Sequence, residues 1–158
     1  MNLLISLKRF IIITLLFSLS ACNQLGVKDE AEEQSKPDLI ELQKQADQAY
    51  LNDEFADAER DYEILIRELP KEALHWFRLG NIYVRTNRPA AAINLYKEAV
   101  IRDPSYAKAW YNMSIVQLKQ TAYSLNEMLI YTDKIDPMYS KAKNLLDGIE
   151  SIVKQDKE

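Results

Sequence analysis

The chain has 158 residues, with one Cys (Cys22), one His (His75), three Gly and five Pro. One Cys excludes an internal disulfide framework and a thiolate metal cluster, and a single His far from it leaves no Cys/His catalytic pair or zinc site. The net charge of −4 would become −6 if residues 1–21 were removed, because Lys8 and Arg9 leave 18 basic against 24 acidic residues, a balance that argues against nucleic acid as the main partner.

In chain order, residues 1–21 read as an export signal: Lys8 and Arg9 are followed by an apolar run from Phe10 to Leu19, broken only by Thr14 and Ser18. A spanning helix needs about 20 continuous apolar residues, so a cleaved signal fits better than a permanent anchor. The run ends Leu19-Ser20-Ala21-Cys22, which resembles the lipobox of bacterial lipoproteins. That resemblance implies that Cys22 is lipidated and becomes the first mature residue, attaching the protein to a membrane through its acyl chains. By the sorting rule of that family, Asn23 in place of Asp implies the outer membrane, facing the periplasm, rather than the inner membrane. Residues 22–37 then read as the lipidated Cys and a polar tether rich in acids (Asp29, Glu30, Glu32, Glu33).

Sparse Gly, the lack of any long alternating pattern and apolar periods near 3.6 predict an all-α chain from residue 38 onward. Asp38 with Glu41 makes a capping-box pattern at the start of a unit spanning 38–72. The unit spanning 73–106 carries the clearest spacing: Trp76-x-x-Leu79-Gly80-x-x-Tyr83, then Ala92-x-x-x-Tyr96, Ala99 and Pro104. Gly80 and Ala92 are small where two helix backbones approach, and Trp76, Tyr83, Tyr96 and Trp110 are assigned to the core. Ala58, Tyr62 and Pro70 repeat the pattern upstream, and Trp110 repeats it downstream. A third, degenerate unit spans 107–139, with a turn expected near Thr121. Residues 140–155 carry Ala142, Leu145, Leu146, Ile149 and Ile152 at helical spacing and read as a capping helix.

These residues resemble the tetratricopeptide repeat family. The resemblance implies a right-handed α-solenoid of about three helix-turn-helix units plus the C-terminal cap, with a concave groove lined by the first helix of each unit. It further implies partner-binding positions at Leu74, Phe77, Asn81, Val84, Lys108, Tyr111, Ile115 and Leu118. Phe77 and Tyr111 are expected as neighbouring aromatic anchors, and Asn81 as a hydrogen-bonding partner for a peptide backbone. These apolar side chains could instead close on one another.

A carboxylate clamp of the type some members carry is not expected, since Asp47 would repel a carboxylate. No nucleophile, phosphate-loop, metal or cofactor motif occurs, so the chain is read as a non-enzyme that needs no cofactor. The expected partner is another envelope protein, presenting a peptide or helix during assembly of a pilus, secretin or outer-membrane complex. Self-association and a permanent structural role through the convex face or terminal helix are the alternatives.

Overall fold

The computed structural model of the protein describes residues 38–155. The export signal at 1–21, Cys22 and the tether that follows it lie outside the described residues. Within them the chain forms six α-helices and no strand: α1 (Leu39–Leu51), α2 (Phe55–Glu68), α3 (Ala73–Arg85), α4 (Pro89–Arg102), α5 (Ala107–Tyr131) and α6 (Pro137–Gln155). Each packs on its neighbours in sequence, which makes an α-solenoid. None of these helices is long and apolar enough to cross a membrane.

The turns within the first two units use one device. Asp53 (φ 61°) and Asn87 (φ 59°), each the second residue past the end of α1 or α3, occupy the left-handed region. The next amides reach back across the turn, Glu54 N to Ala49 O at 2.9 Å and Arg88 N to Tyr83 O at 2.7 Å. A second bond closes inside each, from Asp53 N to Tyr50 O and from Asn87 N to Val84 O. These are Schellman caps, which need a residue that tolerates left-handed backbone. Asp and Asn do so at low cost among non-glycine residues.

The expected turn near Thr121 is not made. α5 runs unbroken for 25 residues. One repeat beyond Asn87 the chain offers Thr121, a β-branched residue poorly suited to positive φ, and Tyr123 stands where Pro89 opens α4. The Thr121 hydroxyl instead donates to Gln117 O at 2.9 Å, as a helix-interior Thr does. The third unit is therefore a long helix followed by α6, not a helix-turn-helix within 107–139. α6 also starts at Pro137, three residues ahead of the expected cap, where the Asp136 carboxylate accepts from Met138 N at 2.8 Å. It buries Ala142, Leu146 and Ile149, while Leu145 and Ile152 remain exposed.

Two apolar clusters make the core. One gathers Ala46, Ala58, Tyr62, Leu65, Leu79 and Ile82; the other gathers Phe77, Ala92, Tyr96, Ala99, Met113 and Val116. The close approach of α3 and α4 rests on Gly80, where an added Cβ would lie 2.6 Å from Cε1 of Tyr96.

The two tryptophans play parallel parts with different cover. Their indoles donate to backbone carbonyls at equivalent places, Trp76 to Pro70 at 3.2 Å and Trp110 to Pro104 at 3.1 Å. Trp76 is partly buried and roofed by the Arg102 guanidinium 4.0 Å above its ring. Trp110 is 47% exposed, against the expectation of a core residue, because α5 runs on and no second helix folds back over it as α4 does over Trp76.

A candidate protein-binding groove

The first helices of the three units meet at a repeated polar junction. The Tyr62 hydroxyl on α2 donates to the Asp47 carboxylate on α1 at 2.5 Å, and Arg78 on α3 approaches the same oxygen at 3.8 Å. One repeat later, the Tyr96 hydroxyl on α4 donates to Asn81 Oδ1 on α3 at 2.8 Å. The Asn112 amide on α5 donates to that same oxygen at 2.9 Å. Each junction ties two helices of one unit to the first helix of the next. Burial raises both tyrosine hydroxyls, that of Tyr96 up to about 12, so both remain donors at neutral pH.

The junctions change character along the chain. The first is ionic and the second is amide to amide. One repeat on from Asn81 and Tyr96 stand Ile115 and Ile130, so the polar series stops there. Asn81 has spent its oxygen on two donors, and Asn112 has spent one of its amide hydrogens. What remains is a complementary set for a peptide group: the Asn81 amide as donor and the Asn112 oxygen as acceptor, neither with another hydrogen bond among the described residues.

Around this amide pair lies a cavity of about 290 Å³, lined by Tyr50, Asn81, Val84, Arg85, Tyr96, Asn112, Ile115, Val116 and Lys119. A larger compartment of about 800 Å³ adjoins it through Val84, Val116 and Lys119 and adds Asn87, Pro89, Gln120, Tyr123 and Ser124. The second compartment follows from the unbroken α5, which places Tyr123 and Ser124 along its wall.

Of the expected positions, Asn81, Val84 and Ile115 line the first cavity. Leu74, Lys108 and Tyr111 are exposed and Leu118 is half-buried, all four outside both compartments. Phe77 does not line the groove at all. It is 7% exposed, and its ring packs against Tyr106 (centroids 5.0 Å apart) and Tyr96 (6.0 Å). Tyr111, its counterpart in the next unit, is 54% exposed, so the two rings do not form a pair of anchors. Asn112, Lys119 and Tyr123 stand in their place. The sequence did hold a signal for Asn112, since it lies one repeat beyond Arg78.

His75 is 2% exposed at the junction of the first two units, its Nε2 3.4 Å from Gln43 Oε1 and its Nδ1 without a partner. Burial lowers its pKa below the usual histidine value. It lines neither compartment of the groove, and its ring packs beside that of Tyr62 (centroids 6.3 Å apart).

Comparison with known proteins agrees with this architecture. A family model described as a tetratricopeptide repeat matches residues 44–107 and 78–127. Peroxisomal targeting signal receptors from Candida glabrata and Kluyveromyces lactis are each 31% identical over 74 residues, and that of Saccharomyces cerevisiae is 33% identical over 66. The matches take in 47%, 47% and 42% of this chain but only 12%, 13% and 11% of those proteins. Helix pairs in a 34-residue register, closed by left-handed caps and bonded from unit to unit, match what the family model detects: the chain belongs to the tetratricopeptide repeat family, whose repeats serve as protein–protein interaction modules.

Proposed function

We propose that the protein is a lipid-anchored interaction module of the bacterial envelope that holds an extended segment of a partner in the groove between α1, α3 and α5. The observation that carries this reading is the amide pair Asn81–Asn112, which presents one donor and one acceptor beside an open cavity. The fungal relatives are named as receptors for a targeting signal, which accords with the capture of a short segment. Attachment through Cys22, an outer-membrane position and service to pilus, secretin or outer-membrane assembly rest on the lipobox resemblance and the polar tether.

Photo-crosslinking in the native envelope tests this reading. A probe at position 119 is expected to yield one dominant adduct that is lost on Asn112→Leu. Replacing Cys22 with Ser is expected to remove the acyl mass and release the chain from membranes. A second reading, a permanent structural subunit, is favoured by the exposed apolar side chains Ile130, Tyr131, Ile135, Leu145 and Ile152 towards the C-terminal end. No adduct from 119 together with a strong one from 152 would sink the groove reading in its favour.

A further inference from the structure

We infer that the groove selects a segment carrying an acidic side chain next to a bulky apolar one; this inference rests on the groove reading above. The chain as a whole is acidic, yet neither compartment is lined by a single Asp or Glu. Two cations face the first cavity. Arg85 is already engaged, 2.8 Å from the Asp53 carboxylate and 4.7 Å over the Phe55 ring. Lys119 has no ion-pair partner among the described residues.

Lys119 also lines both compartments, so its side chain stands at the seam between them; away from the groove it borders a third cavity of about 410 Å³ that Glu150 and Lys154 also line, without pairing to that carboxylate. On one side lie the amides of Asn81 and Asn112, suited to a peptide backbone. On the other lie Val84, Pro89, Val116 and Tyr123, an apolar wall with ample room beside it for an aromatic or leucine side chain. A segment that fills both passes Lys119 midway along its length. The complementary anion therefore belongs to an internal Asp or Glu, not to a chain terminus. The apolar compartment exists because α5 fails to turn at Thr121, so this pairing of subsites is a property of this chain's irregular third unit.

The test selects a randomised octapeptide library displayed on phage against the immobilised full chain. Enriched sequences are resynthesised with a fluorophore and an amidated C-terminus, and their binding is read by anisotropy. The expected result is a consensus in which Asp or Glu adjoins Phe, Tyr, Trp or Leu. Neutralising the peptide acid to its amide, or making Lys119→Glu, should each weaken binding about tenfold, and a Glu-to-Lys peptide should regain affinity for the Lys119→Glu protein. Lys119 is exposed, so that variant leaves the fold intact. Peptides that bind without an acid and ignore Lys119→Glu, but fail on Asn112→Leu, would overturn this inference and leave the groove reading standing. Peptides that need a free C-terminal carboxylate would overturn the internal placement of the acid. Failure to enrich any peptide sensitive to Asn112 or Lys119 would overturn both.

Discussion

From Ala73 the middle unit runs as a 13-residue helix, caps at Asn87 and folds back as α4. From Ala107 the next unit begins in the same way, with an indole bonded to the carbonyl six residues before it, yet continues as helix for 25 residues. The difference comes down to a few residues at the turn. Where Thr86-Asn87-Arg88-Pro89 offers a left-handed position and a helix-starting proline, Gln120-Thr121-Ala122-Tyr123 offers neither. Loss of one cap exposes Trp110, removes the second helix that would cover it, and opens the compartment beside Tyr123. A repeat array can thus gain a cavity by failing to complete a repeat.

The largest contrast between the units is expected at equivalent aromatic positions. Phe77→Ala should cost about 3–5 kcal/mol in urea denaturation, because a buried ring is removed from a packed cluster. Tyr111→Ala should cost about 1 kcal/mol or less. Equal losses would mean that the two rings have the same surroundings. Next in size is Gly80→Ala, whose new methyl must push the Tyr96 ring aside at a cost of about 1–3 kcal/mol. Ser114→Ala, at the matching exposed place on α5, should change stability by about 0.5 kcal/mol at most.

The turn account has its own test. Asn87→Thr forces a β-branched residue into left-handed backbone and should cost about 1–2 kcal/mol. The reciprocal Thr121→Asn should be nearly neutral, because the two have similar helix propensities. A Thr at 87 that costs nothing would refute the explanation given for the unbroken α5.

The smallest effect is confined to the first junction. His75 has a folded pKa below its unfolded value of 6.5, chiefly through burial, with the charges of Glu72 and Asp47 opposing in part. The folded state therefore binds fewer protons than the unfolded chain across that interval. Its contribution to stability is complete above pH about 6.5 and is lost as pH falls towards the folded pKa. Thermal melts from pH 7.5 to 5.5 should show Tm falling with acidity, with a shallower slope in His75→Gln. An unchanged slope would place the acid sensitivity elsewhere than at His75; Glu59, whose carboxyl Arg88 holds below the ordinary range, stays ionised in both states across this interval and contributes only at lower pH.

Much of the fold was legible because its punctuation repeats: Trp76 and Trp110, Ala58 and Ala92, Tyr62 and Tyr96 keep one register, and helix periodicity did the rest. The third unit misled because its apolar positions were aligned to the family pattern while its turn was not asked to supply a left-handed residue. Phe77 misled for a different reason. A position assigned to the groove by family geometry says nothing of the neighbouring loop, and Tyr106, from the loop before α5, draws that ring inward. Asn81 was found, but its partner Asn112 was not selected: its place one repeat beyond Arg78 is legible in the register, whereas the bond itself joins residues 31 apart in successive units and shows in the pattern of neither helix.

The Asn81–Asn112 bond has a mechanical consequence. It joins the second unit to the third, with the Tyr96 hydroxyl on the same oxygen, so groove width and the pitch between neighbouring helices are one variable there. A segment that takes the spare donor of one amide and the spare acceptor of the other bridges the same gap from the open side. On the proposed reading, occupancy would stiffen the array at that point, as a pin stiffens a spring, and a pull on the captured segment would be carried into helix spacing rather than into a single side chain.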